Sequence, residues 1–296
     1  MKCNGRELAR TARAMLMVLV SGVGIGIGGC ADKKPRPMDE MAMMTDLPTW
    51  QPFGLSVDGR ELHALTVGTG ATRVLVIGGI HGDEREALPS VPHLVELLAE
   101  EPAASAARWR VIRDLNPDGT TFFRRTNSNQ VDLNRNFPAR NFDTSRRARK
   151  RVGEEPLSEP ETRAMVKMVE HFDPSVIIVF HSSRQGPFVN FDGPASELAA
   201  AFAAGASGVD ARWRIVPQMS YATPGSLGSY YGEDLGVPVL TIEFEREQSA
   251  RDAWYAIDAG FREMVSRGVL RSIGDQDRSE TASVAGDGGA ATGAGG

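Results

Sequence analysis

Four short apolar runs punctuate the middle of the chain: RVLVIGG (73–79), WRVIRDL (109–115), SVIIVF (175–180) and VPVLTIEF (237–244). Their length and β-branched content suit strands buried on both faces. Between them the period changes from continuous to helical. After Ser90, the residues Val91, Leu94, Leu97 and Leu98 form one apolar stripe, with Pro92 in the first turn, where its missing N–H does no harm. Ser158-Glu159-Pro160-Glu161 has the form of a capping box and predicts a helix with Met165, Met168, Val169 and Phe172 on its inner face. Residues 223–235 and 250–270 also read as helical, and His63 falls in a strand of an amphipathic N-terminal hairpin. Such alternation predicts an α/β fold: a single domain with a mixed, mostly parallel β-sheet flanked by helices on both faces.

The flanks lack this pattern. Residues 30–50 mix prolines, charges and methionines without a period, as a tether does. From 274 to 296 the chain is mostly Gly, Ala, Ser and Asp, with almost nothing to bury, and disorder is expected. The predicted domain therefore runs from 51 to 273. Within 1–29, Lys2, Arg6, Arg10 and Arg13 precede a glycine-rich apolar segment too short to span a bilayer comfortably. That segment ends in Ile27-Gly28-Gly29-Cys30 and resembles a bacterial lipoprotein signal peptide. The resemblance implies lipidation of Cys30, a membrane as partner and a place in the cell envelope. Ala31 after the cysteine would direct the chain to the periplasmic side of the outer membrane in a Gram-negative cell.

Composition narrows the chemistry. The 296 residues carry 33 basic and 38 acidic side chains, a net charge of −5, which gives no reason to expect nucleic acid as a partner. Both cysteines, Cys3 and Cys30, precede the domain, so a metal in it must be held by His, Asp or Glu. In open α/β sheets ligands gather at the carboxyl ends of strands. His81 and Glu84 follow the first apolar run through Gly78-Gly79, where the backbone can turn sharply; His181 ends the third run and Glu243 the fourth. Two imidazoles and one carboxylate with an open position form a common catalytic zinc set. A second His-x-x-Glu pair, His93 and Glu96, lies opposite its helix's apolar stripe and reads as a solvated pair. His171, near a helix end, reads as a surface or packing residue.

These residues lie in stretches that resemble the zinc carboxypeptidase family, and most its compact bacterial branch, the murein peptide amidases: GGIHGDE, NPDGTTFFRRTNSNQVDLNRNFP (116–138), VIIVFHSS and YATPGSLGSYYGEDLGVPVLTIEFE (221–245), in the family's order. The resemblance implies one Zn2+ on His81, Glu84 and His181, with Glu243 as general base and acid. It implies Arg125 rather than Arg124 for the oxyanion, Asn134 and Arg135 for the substrate's free carboxylate, Asp132 behind the first zinc histidine, and Tyr221 as a mobile cap. The spacing from Tyr221 to Gly225-Ser226 is one residue shorter than in the pancreatic-type enzymes, and Tyr230 and Tyr231 read as packing residues.

The family's side-chain pocket follows Gly225-Ser226, and the stretch Leu227-Gly228-Ser229-Tyr230 contains no acid, so no buried counter-charge for a basic side chain is expected. The implied substrate is a peptidoglycan-derived peptide cut at γ-D-glutamyl-meso-diaminopimelate, by an amidase or a carboxypeptidase. Two alternatives stand: a deacylase of the aspartoacylase and succinylglutamate desuccinylase type, and a non-catalytic cell-wall-binding lipoprotein. The run SRRARKR (145–151) reads as a solvated loop, or as a contact for anionic lipid headgroups or cell-wall polymers.

Overall fold

The structure is a computed structural model and describes residues 49–275. The signal segment, Cys30, nearly all of the tether and all but the first two residues of the tail lie outside the described residues.

Seven strands form one sheet in the order β1-β2-β4-β3-β5-β7-β6. The four apolar runs become β3 (Thr72–Ile77), β4 (Ala107–Ile112), β5 (Val176–Ser183) and β7 (Val239–Glu245), and they lie parallel as the sheet's centre. The hairpin of β1 (Gln51–Leu55) and β2 (Glu61–Val67) runs antiparallel along β4, with His63 opposite Pro52. At the other edge β6 (Phe188–Asp192) runs antiparallel to β7. The helices are α1 (Val91–Ala99), α2 (Ala103–Ala106), α3 (Pro117–Phe122), α4 (Arg149–Val152), α5 (Pro160–Phe172), α6 (Ser196–Ser207) and α7 (Ala250–Ser266). The mixed, centrally parallel sheet is the one the apolar runs predict.

Side-chain alternation along the strands builds two cores. Val74, Val76, Ile178, Phe180, Leu240 and Ile242 face α1, α6 and α7, whereas Leu75, Ile77, Ile177, Val179 and Val239 face α5. Each fully buried Val, Leu or Ile contributes roughly 1.5–3 kcal/mol, so the strands are fixed in register by both faces at once. On the α5 face the same alternation carries on from Val179 to His181 and from Val239 to Thr241 and Glu243. At their carboxyl ends, β5 and β7 thus exchange apolar for polar side chains on that face. β4 lies on one side of β3 and β5 on the other. The strand order reverses at this point, and the reversal opens a crevice at the strand ends.

Several local expectations need correction. The helix α5 begins at Pro160 with Glu159 as its N-cap and no side-chain cap bond; Ser158 instead donates to Glu159 Oε1 at 2.7 Å, so the capping box does not form. Helix in 223–235 is confined to a π-helical segment, Gly228–Asp234. The helix from Ala250 ends at Ser266, and a second helical stretch follows Gly268. Gly274 packs against Thr72, so the first tail residues belong to the domain. His93 and Glu96 are not solvated: their side chains are 16% and 13% exposed, 3.6 Å apart, and the imidazole packs on Trp254. His171 lies in the last turn of α5, and Tyr231 is buried against Phe137.

Candidate metal centre and active site

The first half of the site is a turn. Gly79, at φ +63, lets the chain leave β3 in a left-handed conformation that other residues adopt only with strain. Three residues on, a Cβ at Gly82 would lie 2.0 Å from the backbone of Gly119, so only glycine lets this turn press against α3. The turn brings His81 Nδ1 to 2.9 Å from Glu84 Oε1. Across the crevice, His181 Nδ1 lies 2.8 Å from Glu84 Oε2 and 3.1 Å from His81 Nδ1. His81, Glu84 and His181 are all buried, and their donor atoms lie within 4.8 Å of one another; no other such cluster occurs among the described residues.

The far sides of the imidazoles are held. His81 Nε2 lies 3.0 Å from Asp132 Oδ1, and His181 Nε2 lies 3.3 Å from Asn134 Nδ2. Asp132 stands where the resemblance implied, behind the first histidine. Two nitrogens and a carboxylate converging on one point, each oriented from behind and open toward a cleft, fit a catalytic zinc ion. The electrostatics agree. Burial works against charge on His81, yet Glu84 and Asp132 carry its pKa up to about 9. Burial likewise opposes ionisation of Glu84, and the two histidines more than reverse it. A compact cation is what this buried carboxylate pair calls for.

Glu243 is the in-register neighbour of His181 on β7. Its carboxyl is 8% exposed, Oε2 has no hydrogen-bond partner, and burial, with the charge of Glu84, pushes its pKa up to about 8. Arg246 leaves it free, pairing with Asp83 at 2.9 Å. Arg125 donates to Glu84 Oε1 and Asp132 Oδ2, both at 2.9 Å, which places its guanidinium at the metal centre. Arg124 is exposed and lies over the Phe122 ring, which decides between the adjacent arginines. Arg135 is 7% exposed, and its Nε has no partner. Asn134 accepts from Leu227 N–H at 2.8 Å, tying the loop after Gly225 to the site. Tyr221, 57% exposed, stands at the rim.

His81, Glu84, His181, Glu243, Arg125, Asn134, Arg135 and Tyr221 line one cleft of about 670 Å³, and Asp132 lies behind it. Two further lining residues were not expected. Antiparallel pairing sets Asn190 opposite Thr241 and Asp192 opposite Val239, so β6 points Asp192 into the cleft. Gly228 and Gly232 make room for it: a Cβ on Gly228 would lie 2.1 Å from Asp192 Oδ2. Glu233 lines the same end. Burial, then the charge of Glu233, raises the Asp192 pKa to about 6, and neither carboxylate has a partner among the described residues. The expectation of no counter-charge in the side-chain pocket is therefore overturned. The acids come from β6 and from the end of the π-helical segment, outside Leu227-Gly228-Ser229-Tyr230. Phe-Val-Asn-Phe-Asp has period two, and that alternation is the signal that could have found Asp192.

The family model for zinc carboxypeptidases matches residues 36–266. Murein peptide amidase A of Escherichia coli K12 is 32% identical over 182 residues, covering 57% of this chain and 70% of that protein. The protein of the same name from Vibrio campbellii is 30% identical over 221 residues, covering 70% and 83%. Among solved structures, the murein-tripeptide amidase of Escherichia coli O157 superposes with a TM-score of 0.58 at 27% identity, covering 78% of this chain and 96% of that one. Carboxypeptidase A of Helicoverpa armigera shares the fold, with a TM-score of 0.61 at 20% identity over 74% and 69%. The chain belongs to the zinc carboxypeptidase family and is a zinc-dependent hydrolase.

Proposed function

We propose that the protein hydrolyses the amide bond before a C-terminal residue that carries a free carboxylate and a side-chain ammonium, with γ-D-glutamyl-meso-diaminopimelate of cell-wall peptides as the substrate. The observation that carries this reading is the presence of both signs of charge in one cleft. The buried Arg135, with an unpartnered Nε, and the unpartnered Asp192 and Glu233 line it together with Glu243 and the metal centre, where Arg125 is engaged. Meso-diaminopimelate has a free carboxylate for the guanidinium and an amine for the acids, and the relatives named for murein peptides point the same way.

His81, Glu84 and His181 would hold the zinc ion, which would supply Lewis-acid polarisation and activation of water. Glu243, unpaired and largely buried, takes the proton of the attacking water and returns it to the leaving amine, a task suited to its raised pKa. Arg125 compensates charge on the carbonyl oxygen. Arg135 grips the free carboxylate with its planar fork, Asn134 beside it, and Tyr221 covers the mouth of the cleft. The test is the purified chain with L-alanyl-γ-D-glutamyl-meso-diaminopimelate. Free diaminopimelate should appear by mass, and a chelator should stop its release; an intact tripeptide with zinc present would refute the reading.

The N-terminal pattern supports export and lipid anchoring at Cys30, on the periplasmic side of the outer membrane in a Gram-negative cell. Detergent partitioning of the expressed full chain should follow the lipid phase and be lost in Cys30→Ala. Equal partitioning of the two would remove the anchor.

A further inference from the structure

The basic run at 145–151 has no role in the chemistry above, yet it is not a loose loop. Its last three residues, 149–151, open α4, whose Arg151 carbonyl accepts from Asp132 N–H at 2.8 Å, while Asn136 Nδ2 donates to the next carbonyl, that of Val152, at 2.7 Å. Val152, 2% exposed, anchors the helix from below. The two residues that receive α4, Asp132 and Asn136, bracket Asn134 and Arg135. The basic helix is thus bolted to the loop that carries the carboxylate-binding residues of the cleft, close enough for the charge of Arg151 to act on Arg135.

The charge on this segment is exposed and largely uncompensated. Arg146, Arg147, Arg149, Lys150 and Arg151 all face solvent. The ion pair that these five form among the described residues, Arg149 with Glu154 at 3.6 Å, joins two exposed side chains and is worth little in water. Asp143, Glu154 and Glu155 are the acids nearby in sequence, and five cations outnumber them. The whole chain, by contrast, has a net charge of −5. A fixed positive patch on an acidic protein, attached to the segment that carries a buried cleft arginine with an unpartnered Nε, attracts anions toward that side of the molecule.

We propose that α4 and the residues before it are an electrostatic guide for anionic peptides, drawing substrates with acidic groups before the cleaved bond toward the cleft. This rests on the peptide-hydrolase reading above. The field acts over about one Debye length, roughly 10 Å at 0.1 M salt, so the effect must weaken as salt rises.

The experiment uses the full zinc-loaded chain and a variant carrying Arg146→Ser, Arg147→Ser, Arg149→Ser and Lys150→Ser, which leaves Arg151 and its carbonyl in place. Two substrates are compared: the tripeptide L-alanyl-γ-D-glutamyl-meso-diaminopimelate, and the same peptide with the glutamyl α-carboxylate converted to its amide. At about 10 mM salt the variant should lose about tenfold in kcat/KM on the acidic tripeptide with kcat unchanged, and the loss should close at about 0.5 M salt. The amidated peptide should lose less. Recovery of wild-type kcat/KM at high salt separates a lost field from a misfolded variant. Equal salt dependence of chain and variant overturns the guide. So does an unchanged rate with salt-sensitive binding to phosphatidylglycerol vesicles that only the parent chain retains, which would assign α4 to a lipid surface. Turnover of neither peptide refutes the substrate reading itself, and the guide with it.

Discussion

At the scale of single residues, the site spends stability on charge. Glu243 and Asp192 are both carboxylates that burial pushes toward neutrality, without a partner in the free protein. For Glu243 the use is proton transfer, so Glu243→Gln should cut kcat by about 10³-fold with KM little changed. A variant within tenfold of the parent would remove the residue from the reaction. For Asp192 the use is substrate choice. Asp192→Asn should lower kcat/KM by about tenfold or more on a C-terminal residue with a side-chain amine, and leave a peptide with a neutral side chain unaffected. The same change has a pH signature. The folded pKa of about 6 lies above the ordinary 3.8, so Asp192 stability is fully present below about pH 4 and is lost as the pH rises through 6. Asn, neutral throughout, should therefore stabilise the protein by about 1 kcal/mol at pH 7.5, a value reduced for partial solvation, and by nothing at pH 4. Urea unfolding at the two pH values checks this; equal gains at both would mean that the carboxyl is not strained.

At the scale of elements, the loop of residues 125–132 shows how the backbone is made to deliver a guanidinium. Its ends carry Arg125 and Asp132, and its centre is folded around the buried side chain of Asn127. Asn127 Oδ1 accepts from the N–H groups of Asn129 and Val131, both at 3.1 Å, while Nδ2 donates to Glu159 at 2.7 Å and Glu161 at 3.2 Å. Asn116 steadies the other side, capping α3 through its Oδ1 and donating to the Arg125 carbonyl at 3.2 Å. Asn127→Ala should lose about 2 kcal/mol in urea unfolding, because two buried glutamates each lose a donor. It should also lower kcat about tenfold through a displaced Arg125; a stability loss with kcat intact would confine Asn127 to folding. This loop explains a misreading. Ser158-Glu159-Pro160-Glu161 has the residue types of a capping box, but Asn127 and the Val57 N–H claim both glutamates, and no local rule foresees partners from 30 to 100 positions away. The four parallel strands were legible because continuous apolar runs have little other use. β6 was not, because its cleft-facing positions, Asn190 and Asp192, are polar for function, and α6 went unread because its alanine-rich sequence has a weak apolar stripe. The metal ligands and the candidate base were legible for the opposite reason: His81, Glu84, His181 and Glu243 each follow or end an apolar run that fixes where they emerge.

At the scale of the whole molecule, the metal centre joins two halves of the sheet. His81 and Glu84 follow β3, which pairs with β4 and through it is joined to the hairpin on one side; His181 and Glu243 come from β5 and β7 on the other. The ligands meet where the strand order reverses, so binding a cation there bridges elements that would otherwise be held by the β3–β5 ladder and the two cores alone. An ion that binds the folded chain and not the unfolded one stabilises it by mass action, by about 1.4 kcal/mol for each tenfold of free metal above the dissociation constant. For a domain of this size that is about 3–5 °C in Tm. Thermal unfolding of the chelated protein, and of the same protein across a zinc series, should therefore show a Tm rising by this step. His181→Ala, which removes the ligand from the β5 side, should abolish the step, read for each protein against the Tm of its own chelated form, since the variant also loses the bond from His181 to Glu84. A Tm indifferent to zinc, or a step retained in the variant, would mean that these side chains do not act as one site and that the sheet reversal carries no metal.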